Sequence, residues 1–133
     1  MAPWLFTEAI LAGKPIKLFN HGKMRRDFTY IDDIVAGVLA CLDKPPPASA
    51  QPAYRLYNIG NSHSEELEHF VAILEQAIGR KAAIERVPMP PGDIEATYAD
   101  ITETTRDFGF VPRVALAEGL PRFVAWYRAY HKI

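Results

Sequence analysis

Two hydrophobic periods alternate along this chain, and glycine or proline marks most of the switches between them. Residues 4–12 set Leu5, Phe6, Ala9, Ile10 and Ala12 on one side at helical spacing, and Gly13 and Pro15 end that helix. Ile16 to Phe19 alternate apolar and polar, predicting a short strand that runs into the turn Asn20-His21-Gly22. Asp27 to Ile31 are aromatic and β-branched, predicting a second strand. Asp32 and Asp33 then suit a helix N-terminus by capping and by charge, with Ile34, Val35, Val38, Leu39 and Leu42 as its expected buried stripe.

Residues 43–53 carry Pro45-Pro46-Pro47 and Pro52 and read as a surface loop. Tyr54 to Ile59 predict a third strand, closed by Gly60-Asn61. Ser62-His63-Ser64-Glu65 has the form of a capping box, and the helix after it is expected to bury Leu67, Phe70, Val71, Leu74 and Ile78 before Gly79 ends it. Ala82 to Val87 predict a fourth strand, stopped by Pro88, Pro90 and Pro91. A short helix over 102–108 ends at Gly109, and a last helix over about 115–131 stacks Leu116, Leu120, Phe123, Val124, Tyr127 and Tyr130, with Pro121 early in it. About four strands and five helices interleave, which predicts an α/β class.

Composition narrows the functional classes. A length of 133 residues is one ordinary domain, and 49% apolar with 23% charged residues is globular. A net charge of −1 draws the whole molecule neither to nucleic acid nor to an anionic membrane. Cys41 is the only cysteine, so no intrachain disulfide forms, and its apolar neighbours suggest an inert core thiol. No apolar run approaches the roughly 20 residues that span a bilayer. The run from Trp4 to Ala12 lacks a basic leader and carries Glu8, which argues against a signal peptide. The expected compartment is the cytoplasm.

Local catalytic signatures are missing. No two of the glycines are spaced as GxG or GxxG, so neither a dinucleotide fingerprint nor a P-loop is present. His21, His63, His69 and His131 do not have HxxxH-type spacing, and no metal site is expected. Two features stand out. Lys14, Lys17, Lys23, Arg25 and Arg26 fall within one short stretch with no acid until Asp27, which suits either a phosphate-holding loop or a solvated basic edge. Pro88-Met89-Pro90-Pro91-Gly92-Asp93 is a rigid turn that either aims Asp93 at a fixed point or merely ends a strand. Phe19 and Tyr30 could stack on a base or pack in the core.

The segment from Asn20 to Ile34, NHGKMRRDFTYIDDI, resembles the RDFxYxDD region of extended short-chain dehydrogenase/reductases that act on nucleotide sugars. Tyr57-Asn58-Ile59-Gly60 resembles that family's later strand. Pro91-Gly92-Asp93, Tyr98-Ala99-Asp100 and Phe108-Gly109-Phe110-Val111-Pro112 resemble its tail, as does the final helix with Trp126-Tyr127. Within the family the resemblance is strongest to UDP-glucuronate 4-epimerases.

The resemblance implies that residues 1–133 form a nucleotide-sugar (substrate) binding domain, the C-terminal portion of such an enzyme without its N-terminal Rossmann part. Arg26 is then expected to bind the diphosphate of a UDP-sugar, Phe19 to line the uracil site, and Asp93 to hold the ribose or a phosphate-binding partner. Arg25 is expected to face the glucuronate carboxylate. Many relatives carry arginine or glutamine where this chain has Pro90, which leaves more of the anion binding to Arg26. The family's chemistry needs NAD and a Tyr-x-x-x-Lys pair, and no tyrosine here has a lysine four residues on. The chain alone is therefore expected to have no catalytic residues, no cofactor and no turnover. Alternatives are a stand-alone binding module, or part of a dTDP-glucose 4,6-dehydratase or UDP-glucuronate decarboxylase. Residues 27–60 are expected to pack on the missing Rossmann domain. Val35, Val38, Tyr57 and Ile59 would then lie on an uncovered apolar face through which the isolated chain self-associates.

Overall fold

The computed structural model describes residues 2–52 and 54–133. In chain order the elements are α1 (Ala2–Leu11), β1 (Ile16–Leu18), a 3₁₀ turn (Phe19–Gly22), β2 (Arg25–Asp27), α2 (Ile31–Leu42), β3 (Ser64–Glu66), α3 (Leu67–Ile78), β4 (Ile84–Arg86), α4 (Thr102–Phe108) and α5 (Leu116–His131). The α/β class and the five predicted helices stand.

The core lies where α3 meets α5, with α1 and β1 closing it. The α3 stripe is buried as its spacing requires: Leu67, Phe70, Val71, Leu74 and Ile78 all face inward. Phe70 sits at the centre, its ring stacked on Phe28 at 4.6 Å and met edge-on by Phe6 at 6.1 Å. From α5 come Leu116, Leu120, Val124 and Tyr127, whereas Tyr130 lies outside on the solvent side. Each fully buried large apolar side chain contributes about 1.5–3 kcal/mol. Gly79 ends α3 in the left-handed conformation at φ 77°, its N–H bonded to the Glu75 carbonyl. Pro121 is the sixth residue of α5, so the Ala117 carbonyl lacks the partner that an N–H there would supply.

Two small ladders position the loops. β1 and β4 pair in parallel, Ile16 opposite Ile84 and Leu18 opposite Arg86. β2 and β3 pair antiparallel, with Arg25 opposite Glu66, Arg26 opposite Glu65 and Asp27 opposite Ser64. On the other side of β2, Arg25 donates its N–H to the Glu95 carbonyl and accepts from the Thr97 N–H, so segment 95–97 runs beside it.

Several expectations are corrected. Residues 54–59 form no strand and join no ladder among the described residues. The strand expected at 27–31 is centred on Arg25–Asp27, and that at 82–87 is reduced to Ile84–Arg86. The capping box does not form. Ser64 and Glu65 belong to β3, α3 begins after Glu66 without a side-chain cap, and Glu65 receives His69 at 3.1 Å instead. Asp32 and Asp33 do lie in the first turn of α2, but neither caps it. The α2 stripe is not buried: Val35, Val38, Leu39 and Leu42 are exposed, as is Ile31. Cys41 on that helix is half-buried rather than core. The uncovered face therefore includes Val35 and Val38, while Tyr57 and Ile59 are half-buried, Tyr57 against Phe108 and Ile59 against Gly37.

Candidate anion and nucleotide site

β2 alternates its side chains across the sheet, so neighbours Arg25 and Arg26 leave on opposite faces. Arg26 reaches the proline turn. Its Nη2 donates to Asp93 Oδ1 at 3.0 Å, and its Nη1 donates to the carbonyls of Arg25 at 2.9 Å and Glu95 at 3.1 Å. The pair is neither sunk nor free, with 25% of the Arg26 side chain and 32% of the Asp93 side chain accessible. Asp93 is held ready because its own N–H bonds the Pro90 carbonyl and its Oδ1 also accepts the Ile94 N–H at 2.8 Å. The turn thus presents the carboxylate instead of simply ending a strand.

A guanidinium has five N–H donors. Arg26's three bonds to protein leave two donors without a partner among the described residues. This is an arrangement that can accept one further anion with charge-assisted bonds.

Arg25 is occupied differently. It donates to Glu66 Oε1 at 2.8 Å and to the Ser64 carbonyl at 2.6 Å, tying β3 to β2. By the same count Arg25 keeps three donors without a partner among the described residues, so a ligand carboxylate can approach it beside Glu66. Lys14, Lys17 and Lys23 are exposed and make no ion pair among the described residues. Of the basic stretch, then, only Arg26 is paired with Asp93. Phe19 opens the 3₁₀ turn and is 41% accessible. Asn20 and His21 after it take positive φ, 48° and 53°, a strained pair held where His21 donates its N–H to the Val87 carbonyl. Tyr30 does not stack outward: it packs against α5, so close to Gly119 that a Cβ there would collide with its ring, and Arg122 lies 5.8 Å over its centroid.

Two carboxylates hold the surrounding loops: Asp27, which stood only as a motif letter in the sequence, and Asp33, which was expected at a helix N-terminus. Asp27 Oδ1 accepts the Asn61 N–H at 3.0 Å, and its Oδ2 accepts those of Ser62 at 3.1 Å and Ala99 at 2.9 Å. Asp33, 5% accessible, accepts the N–H groups of Arg113 and Val114, each at 3.0 Å. The available signal was their place in the Arg26-Asp27 and Asp32-Asp33 pairs; their partners, 34 to 81 residues away, were not legible. Gly60 is required beside this hub, since a Cβ there would strike the Ala99 side chain and approach Asp27 Oδ2 to 3.3 Å.

A cavity of about 410 Å³ lies between Cys41, Pro45–Pro47, Tyr54, Tyr57 and Phe108. At its wall Asp107 accepts bonds from Arg106 at 2.6 Å and from the Tyr57 hydroxyl at 2.8 Å, which together hold its carboxyl down at about 2. Among the described residues no three His, Cys, Asp or Glu side chains are placed to hold a metal ion, and no helix is long and apolar enough to cross a membrane. Nor do these residues fit the pyrophosphate of a dinucleotide. No glycine-rich strand-to-helix turn is present, and α2, the helix that follows the RDF motif, opens with Asp32 and Asp33, which repel an anion at its N-terminus.

The fold resembles solved nucleotide-sugar enzymes. A UDP-glucuronic acid 4-epimerase from Bacillus cereus, in complex with UDP-glucuronic acid and NAD, superposes with a TM-score of 0.81 at 28% identity, over 96% of this chain and 40% of that one. The architecture is that of the C-terminal portion of an extended short-chain dehydrogenase/reductase. Residues 3–60 match the NAD dependent epimerase/dehydratase family. The chain is 40% identical over 145 residues to an uncharacterized 37.6 kDa protein in the cld 5' region of Escherichia coli O111:H-, covering 100% of this chain and 43% of that protein. It is 41% identical over 142 residues to UDP-glucuronate 4-epimerase 4 of Arabidopsis thaliana, covering 98% and 32%. The chain matches the C-terminal part of NAD dependent epimerase/dehydratase relatives. It spans less than half the length of these relatives.

Proposed function

We propose that this chain is the nucleotide-sugar-binding portion of an NAD-dependent UDP-glucuronate 4-epimerase. The observation that carries the reading is Arg26, anchored by Asp93 and two carbonyls, with two N–H donors still open to an anion. In this reading Arg26 binds the diphosphate, the uncommitted Oδ2 of Asp93 accepts a ribose hydroxyl, and the exposed ring of Phe19 lines the uracil. The likeness to UDP-glucuronate 4-epimerases over nearly the whole chain supports the choice of sugar. NAD and the proton-transferring groups belong to the part of the enzyme that relatives have and this chain does not match. The apolar stripe Ile31, Val35, Val38, Leu39 and Leu42, with segment 54–59, is the surface on which that part packs.

Calorimetry with UDP and UDP-glucuronate tests the reading. Binding to the wild-type chain, lost in Arg26→Ala, supports it. No binding, or binding indifferent to that substitution, overturns it. Incubation with UDP-glucuronate and NAD should give no turnover, and measurable 4-epimerisation by this chain alone would contradict the assignment of chemistry elsewhere.

A further inference from the structure

We infer that Asp27 is a positioning residue for the Arg26–Asp93 pair: it sets the register of segment 93–99 along β2 and so fixes where the anion site forms. The inference rests on the reading of Arg26 as the anion-binding residue. Segment 93–99 touches β2 at both of its ends. At one end Asp93 meets Arg26 Nη2 at 3.0 Å. At the other, the Ala99 N–H bonds Asp27 Oδ2 at 2.9 Å and Thr97 Oγ1 accepts the Asp27 N–H at 3.1 Å. Between them, Glu95 and Thr97 bond the Arg25 backbone.

The same carboxylate also collects the N–H groups of Asn61 and Ser62. Ser62 stands at φ 53°, a conformation that costs a non-glycine residue energy and that these bonds help to hold. Ser62 closes the ring by donating its hydroxyl to Tyr98 Oη at 3.0 Å. Three backbone donors from two loops therefore converge on one side chain that neighbours Arg26 in sequence. An ionised carboxylate, acceptor-only, suits that set; an amide puts an NH₂ against at least one of the donors. Without the clamp, segment 93–99 keeps its bonds to Arg25 and Arg26 but its Ala99 end is released from β2, and the strain of that end passes along the segment. Asp93 sits at the far end of that segment, and a small displacement there breaks a 3.0 Å contact.

The test compares Asp27→Asn with Asp33→Asn, because Asp33 likewise gathers two backbone N–H groups but for residues 113 and 114. Amide spectra of the ligand-free proteins report the Ile94 N–H, which is bonded to Asp93, and titrations use inorganic pyrophosphate and UDP. Asp27→Asn is expected to move the Ile94 resonance and to weaken both ligands about ten-fold or more among folded molecules. Asp33→Asn is expected to lower the melting temperature while leaving the Ile94 resonance and both affinities unchanged. Should Asp27→Asn not fold, Thr97→Val, which removes only the acceptor for the Asp27 N–H, should shift Ile94 in the same direction to a lesser extent. An unmoved Ile94 resonance with wild-type affinity, or equal affinity losses in both aspartate variants, overturns the inference. If the wild-type chain binds neither ligand, the nucleotide-sugar reading fails while the ligand-free Ile94 shift still decides the role of Asp27.

Discussion

Arg26 and Asp93, 67 residues apart, meet at 3.0 Å across the edge of a three-residue strand. The contact joins the RDF motif to the PGD turn, and it orients one cation of a basic stretch while leaving two of its donors open.

Replacing Arg26 separates its stabilising role from its binding role. The pair is partly open to water, so its loss should lower stability by at most about 1 kcal/mol. Binding of UDP should weaken about 10- to 100-fold in Arg26→Ala, the usual worth of hydrogen bonds to charged groups. Arg26→Lys keeps the charge but loses the fork, and it should fall between the two in calorimetry.

Asp33→Ala should cost more stability than Arg26→Ala. It strands the N–H groups of Arg113 and Val114, which Asp33 satisfies from a buried position. A loss of about 1–3 kcal/mol follows. Thermal denaturation should show a melting temperature lower by several degrees, and no change would mean that water replaces the carboxylate at no cost.

Asp107 predicts a stability dependence on acid. Arg106 and then Tyr57 hold its carboxyl at about 2, below the ordinary 3.8. A depressed carboxylate stabilises the fold above the unfolded value near 3.8, and that contribution disappears as pH falls toward 2. Thermal melts of wild type and Asp107→Asn should differ by a constant amount above about pH 5, with the gap closing in acid as the native carboxylate protonates. A gap that widens on acidification would reverse the sign of the argument.

The exposed α2 stripe predicts concentration-dependent self-association of the isolated chain. Val38 is 52% and Leu42 72% accessible, so Val38→Glu or Leu42→Lys should alter stability by no more than about 0.5 kcal/mol. Sedimentation velocity should shift from associated species toward monomer in either variant. A wild-type chain that stays monomeric at high concentration would remove the basis for this.

The helices were legible because their periodicity reports which residues share a face. Leu67, Phe70, Val71, Leu74 and Ile78 face one way on any helix through them, and they are the core. The same logic misled for α2. Its stripe is just as regular, but periodicity tells which residues share a face and not whether anything in the chain covers that face. Tyr54 to Ile59 show the complement: β-type residues favour an extended segment, while a strand needs a neighbour to pair with, and no described segment pairs with this one.

For the site, the sequence marked a stretch of five cations before Asp27 and the rigid Pro90-Pro91-Gly92 turn that aims Asp93, and the resemblance to the RDF motif singled out Arg26 within that stretch. Only the tertiary structure decided that these two meet, that Arg25 turns to the opposite face and bonds Glu66, and that Asp27 gathers three distant amides. The physical reason is range. Side-chain periodicity, turn chemistry and helix stops are set within a few residues, and the sequence by itself determines them. Pairing partners 34 to 81 residues apart depend on how the elements pack, which determines the geometry of every charged contact around this site.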